Sequence, residues 1–134
     1  MKILLDANVL FTAAHNPKGK ACFLIGVAEF QKWIVVTCAL AIEEAERNLK
    51  VKFPDCLNEL KKRLRQVVIV PTIVDGNCPV VLSDKDRPIF LSALQAKCSH
   101  LLTGDLKDFG RHMNKPTKSA GILIQTVAEF LDRL

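Results

Sequence analysis

Four acidic residues, far apart in a chain of 134, stand at or near the ends of structural elements. Asp6 closes the apolar run KILL at residues 2–5. Glu44 lies in the string EEAERNL, Asp86 directly precedes RPIFLSAL, and Asp105 closes LLTGD. Taken singly, each fits an ordinary role: Asp6 and Asp105 as turn formers, Asp86 as a helix cap, Glu44 as a solvated helix residue. Gathered at one place, they would do something else. Like charges brought together repel, and one remedy is a bound cation. Carboxylate oxygens favour a hard ion, Mg²⁺ or Mn²⁺. Such an ion lowers the pKa of a bound water, which can then attack phosphorus, and it steadies the leaving oxygen. Asp6, Asp86 and Asp105 are the expected metal ligands, and Glu44 completes the catalytic set. Asn8 and Thr103 are placed to orient a water or a carboxylate, and Asp108 is a fifth acid in reach. Glu43 and Asp84 compete with Glu44 and Asp86 for the same places.

The alternatives are poorly supplied. Cys22, Cys38, Cys56, Cys78 and Cys98 are odd in number and contain no C-x-x-C pair, which fits neither a disulfide framework nor a zinc site. His15, His100 and His112 show no helical pairing that suggests a general base.

For the acids to meet, the elements between them must fold back on one another. Lys2–Leu5, Trp33–Thr37, Val67–Val70, Ser99–Thr103 and Gly121–Ile124 read as short buried strands. Between them lie helical patterns. Asn16-Pro17 suggests a helix start ahead of Cys22, Phe23, Gly26, Val27 and Phe30, which follow at helical spacing. Ala41, Ala45 and Leu49 mark the helix that carries Glu44. Pro54 opens another, with Leu57, Leu60 and Leu64 as its stripe. Residues 72–82 read as a loop, and Ser83 to Asp86 begins a helix with Ile89, Phe90, Ala93 and Leu94 inside. Residues 110–119 are irregular, polar and basic. Thr126 and Glu129 form a capping box for a last helix. Strands alternating with helices imply a three-layer α/β/α sandwich around a central parallel sheet, spanning residues 1–134 as one domain. Open sheets of this kind bind ligands beyond the carboxyl ends of their strands. If the first and fourth strands are neighbours, the four acids converge at one rim.

The formal net charge is +5, which favours a polyanionic partner. Lys107, Arg111, His112, Lys115 and Lys118 follow Asp105 closely enough to hold phosphates at the site. A second basic zone, including Arg47, Lys50, Lys61, Lys62 and Arg65, is interleaved with Asp55 and Glu59 and reads as a solvated surface. With no tyrosine and one tryptophan, base stacking contributes little. No apolar run reaches the roughly 18 residues that cross a bilayer. The opening MKILLDANVLF has an aspartate inside its apolar stretch and no small-residue cleavage site, so it reads as a strand of a cytoplasmic protein rather than a signal peptide.

The pattern resembles the PIN-domain family of metal-dependent ribonucleases, which includes bacterial and archaeal toxins. The resemblance rests on Asp6-Ala7-Asn8 in LLDANVL, Glu44 in EEAERNL, Asp86 in DRPIFLSAL, Asp105 in the more specific TGDLKDF, and the closing GILIQTVAEFL. It implies a Rossmann-like sandwich, a Mg²⁺ or Mn²⁺ cofactor and cleavage of RNA that leaves a 5′-phosphate. It implies RNA, an antitoxin protein and a second copy of the chain as partners, and no membrane. Two other classes compete. One is a non-catalytic module of the same fold that binds RNA or a protein partner. The other is a receiver-like phosphoacceptor, which would need an acidic pair after strand one and a lysine after the last strand. Asp6 stands alone, and Gln125 occupies the second position.

Overall fold

A computed structural model describes residues 1–134. Along the chain run β1 (Lys2–Leu5), α1 (Ala7–His15), α2 (Lys20–Gln31), β2 (Ile34–Cys38) and α3 (Ala39–Lys52). A 3₁₀ turn at Pro54–Cys56 leads into α4 (Leu57–Leu64), followed by β3 (Val68–Val70), α5 (Arg87–Gln95) and β4 (His100–Leu102). The remainder is α6 (Leu106–Phe109), two further 3₁₀ turns, β5 (Leu123–Gln125) and α7 (Val127–Asp132).

The five strands form one sheet in the order β3-β2-β1-β4-β5, with every neighbouring pair parallel. Strand β1 is apolar without alternation because both its faces are covered: Ile3, Leu4 and Leu5 are wholly buried. From β1 the chain steps outward through β2 to β3, then returns past β1 to β4 and β5. Parallel crossovers are right-handed, so this reversal sends the later connections to the opposite face of the sheet. Helices α1 to α4 pack against one another on one side, while α5 covers β4 from the other. The result is the expected three-layer α/β/α sandwich. Its switch point, where strand order reverses and a crevice opens beyond the strand ends, lies between β1 and β4.

Two local expectations are corrected. Residues 7–15 form a helix that the strand-then-turn reading missed. Asp6 caps it, accepting a hydrogen bond from the Ala7 N–H at 2.7 Å, and Ala7, Leu10 and Ala14 line its buried side. Asn16 therefore ends α1 instead of starting α2, which begins after Gly19. Within α2 the buried residues are Ala21, Cys22, Leu24, Ile25 and Ala28, leaving Phe23 and Phe30 58% and 85% exposed. The remaining boundaries differ from expectation by a few residues, and the Thr126–Glu129 capping box is present in both halves.

Candidate metal centre

Asp6, Asp86 and Asp105 stand at the ends of the elements that reach the rim, and Glu44 is carried there within α3. Strand β1 pairs with β4 in register Leu5↔Leu102, which brings Asp6 and Thr103 side by side. The Asp6 N–H donates to the Leu102 carbonyl at 3.0 Å, and the Thr103 hydroxyl donates to Asp6 Oδ2 at 2.8 Å. Asn8 completes the bridge. Its amide donates to Asp6 Oδ2 at 3.2 Å and to Thr103 Oγ1 at 3.3 Å, while its Oδ1 accepts the Gly104 N–H at 2.6 Å. The approach is close: a Cβ on Gly104 would lie 3.2 Å from Asn8 Oδ1, so the Asn8 side chain would have to shift by a few tenths of an ångström. The spacings D-x-N and T-G-D are thus two halves of one hydrogen-bonded joint across the switch point.

Asp105 follows on the same loop. Its N–H donates to Thr103 Oγ1 at 3.0 Å, and its own Oδ1 accepts the Asp108 N–H at 3.2 Å, capping α6. Asp86 stands at the start of α5 but does not cap it through its side chain. Instead it is buried beside Asp105 and Asp108 in a cavity of about 290 Å³, which Ser83, Lys85 and Lys107 also line. The Ser83 hydroxyl donates to Asp108 Oδ2 at 2.9 Å, and the Ser83 N–H donates to the same oxygen at 3.0 Å. Glu44, in the second turn of α3, enters from the other side of β1. Its side chain is 21% exposed, and its Oε1 lies 2.6 Å from the Lys85 ammonium. The two competing acids are placed differently: Glu43 is exposed, and the Asp84 side chain is 96% exposed and paired with Arg87 at 2.9 Å.

The electrostatics register the crowding. Burial raises the Asp6 carboxyl above its ordinary value against the hydrogen bonds from Thr103 and Ala7, and the charges of Glu44 and Asp105 add to the rise. Asp86 is pushed up to about 8 by burial, by hydrogen bonding with Asp108 and Asp105, and by the charges of Asp6 and Asp105. Asp108 is the receiving partner. Burial acts to raise it, but hydrogen bonds from Asp86 and Ser83 outweigh this and hold it low. Asp86 near neutral pH therefore keeps a proton that it shares toward Asp108.

As arranged, no three carboxyl, imidazole or thiol groups form a ready cage for a metal ion. In this arrangement Asp6 is tied inward to Thr103 and Asn8, and Glu44 is held by Lys85. The donor set nonetheless suits a hard cation. It consists of oxygens alone, and an acid pushed up to about 8 by burial and by its acidic neighbours is one whose charge a cation would stabilise. Magnesium also needs only one or two direct carboxylates, with waters filling the rest of its shell.

The basic residues divide. Lys107 lines the acid cavity. His112 bonds the Val81 carbonyl at 2.8 Å, and Lys115 folds back onto the Arg111 carbonyl at 3.2 Å. Lys118 belongs to the 3₁₀ turn Pro116–Lys118, which feeds the amino end of β5, the opposite end of the sheet from Asp6 and Asp105. Conversely, two cations not expected at the site border it: Arg47, read from sequence as part of a solvated surface, and Lys85. Arg47 and Lys85 line a second cavity of about 250 Å³ with Glu44, Leu40, Asp84 and Ile89. Arg47 lies one helical turn from Glu44, a spacing that could have flagged it. Lys85 had only its position beside Asp86. A third opening of about 450 Å³ borders the joint on its far side, lined by Asn8, Thr12, Lys20, Thr103 and Thr126 among others.

A family model described as the PIN domain matches residues 2–107. No curated protein matches the sequence. Similar solved structures include VapBC2 from Rickettsia felis, bound to a DNA fragment from their promoter. It has a TM-score of 0.67 and 13% identity over 94% of this chain and 98% of that one. PAE2754 from Pyrobaculum aerophilum has a TM-score of 0.64 and 18% identity, covering 99% of this chain and 88% of its own. FitAcB from Neisseria gonorrhoeae has a TM-score of 0.52 and 15% identity, with 94% and 98% covered. At these identities the likeness concerns the fold. No helix is long and apolar enough to cross a membrane.

Proposed function

Because the chain belongs to the PIN-domain family, we propose that it is a Mg²⁺- or Mn²⁺-dependent ribonuclease, acting as the toxin of a toxin–antitoxin pair. What supports this reading is the electrostatic coupling of Asp6 to Glu44 and Asp105, and of Asp86 to Asp6 and Asp105, around the β1/β4 switch point. In this reading Asp6, Asp86 and Asp105 hold the ion, and Glu44 contributes a further carboxylate. The ion, when bound, supplies an activated water and positive charge for the leaving oxygen. Thr103 and Asn8 fix the orientation of Asp6, Ser83 positions Asp108, and Lys107 and Arg47 draw the polyanion toward the rim.

RNA as the substrate draws on the family resemblance and the net charge of +5. An antitoxin partner draws on the toxins of the family and on the fold shared with VapBC2. The test is cutting of an end-labelled single-stranded RNA by the purified chain. EDTA should abolish cleavage, and Mg²⁺ or Mn²⁺ should restore it. Asp105→Asn should lose cleavage while keeping the wild-type circular dichroism spectrum. Cleavage that persists in Asp6→Asn combined with Asp105→Asn would refute the proposal. A folded wild type that binds RNA without cutting it would favour the non-catalytic reading.

A further inference from the structure

Lys85 already places a positive charge in the acid crevice. Its ammonium lies 2.6 Å from Glu44 Oε1, and the bond raises its affinity for the proton, with the charges of Asp86 and Asp105 adding to the effect. It lines both the cavity that holds Asp86, Asp105 and Asp108 and the one that holds Glu44 and Arg47, so it stands at the boundary between them. The side chain is 66% exposed, and Glu44 is its only ion-pair partner. An ammonium on a four-carbon stem is a mobile point charge, unlike the rigid fork of an arginine. Asp84, the other acid in the Glu44 cavity, pairs with Arg87.

We propose that Lys85 is a tethered counter-ion that holds Glu44 until it is exchanged for the divalent ion, and that the released ammonium then pairs with a phosphate of the substrate. This rests on the metal-dependent reading above. Two consequences follow from the charges. A lysine bound to Glu44 opposes a divalent ion at the same carboxylates, so it weakens metal affinity. Once released, it adds a monovalent cation beside the crevice on the side of Arg47, where a polyanion gains from it.

The test measures Mn²⁺ binding by the EPR signal of the free ion, using the full chain in four forms: wild type, Lys85→Met, Glu44→Gln and the double variant. Lys85→Met should bind Mn²⁺ about ten-fold more tightly than wild type, the scale expected when one unit charge is removed from the neighbourhood of a divalent ion. In the Glu44→Gln background the same substitution should change affinity by about two-fold or less, because the competition runs through that carboxylate. Side-chain ¹⁵N spectra give an independent reading. The Lys85 ammonium should be protected from exchange in EDTA and lose that protection on adding Mg²⁺. With Ca²⁺ present to suppress cutting, Lys85→Met should bind a fluorescein-labelled oligoribonucleotide several-fold more weakly. Equal Mn²⁺ affinity in wild type and Lys85→Met, an equal gain in the Glu44→Gln background, or unchanged RNA affinity would overturn the proposal. Absence of Mn²⁺ binding in both wild type and Lys85→Met would instead overturn the metal-dependent reading on which it rests.

Discussion

Replacing Asp86 by Asn should make the metal-free protein more stable, although it removes a group assigned to the active centre. In the fold Asp86 is held at about 8, against 3.8 for an ordinary aspartate. Between those values the folded chain keeps a proton that the unfolded chain releases. The stability contributed by this proton is complete below about pH 4 and is lost as pH rises through 8. At about 1.4 kcal/mol per factor of ten in proton affinity, the full difference bounds the effect at roughly 6 kcal/mol. Neighbouring carboxyls share the proton and the crevice opens to water, so a measurable gain of about 1–3 kcal/mol at pH 8 is expected. Asn is nearly isosteric, carries no charge, and can still donate to Asp108 as the protonated acid does. The assay is thermal unfolding of both proteins in EDTA from pH 4.5 to 8.5. The variant should unfold several degrees higher at the alkaline end, with the difference closing toward pH 4.5. Millimolar Mg²⁺ should stabilise the wild type more than the variant. A variant less stable than wild type at pH 8, or a gain that does not depend on pH, would refute the argument from crowded charge.

Two further outcomes follow from the geometry. Thr103→Val keeps the buried volume but removes the hydroxyl that donates to Asp6 at 2.8 Å and accepts from the Asp105 N–H at 3.0 Å. It should lower stability in urea unfolding at pH 7 by about 1–3 kcal/mol, and a change below about 0.5 kcal/mol would contradict the role given to the joint. Lys107→Ala, at the acid cavity, should reduce the salt dependence of RNA binding by about one phosphate contact. Lys118→Ala, at the opposite end of β5, should leave it unchanged, and equal effects would mean that the RNA path extends along the whole basic segment.

Some of this protein was legible in the chain itself. Uninterrupted apolar runs such as Ile3–Leu5 are what a strand buried on both faces requires, and their alternation with helical stripes leaves little choice but a parallel sheet. The positions of Asp6 and Asp105 just beyond strand ends were readable from the apolar runs that precede them, and strand ends are where such sheets gather ligands. The Thr126–Glu129 capping box was readable because its partners are three residues apart and its physics is local.

What the chain did not disclose depends on neighbours distant in sequence. Residues 7–15 could satisfy either period, and the Asp6 cap together with packing against α3 and α4 decides for the helix. Which side of α2 faces inward depends on the surfaces it meets, so Phe23 and Phe30 lie outside despite their hydrophobicity. Asn8 and Gly104 are 96 positions apart, and only the β1/β4 pairing makes them one joint. Lys85 carries no sequence signal beyond its place beside Asp86, and its meaning comes from Glu44, which β2 and α3 deliver from the other side of β1. Sequence determines which groups are available and the local elements that bear them. Tertiary structure determines their distances, and through those distances which charges crowd, which protons are retained and which cation stands among the acids, because electrostatic coupling depends on separation in space and on burial.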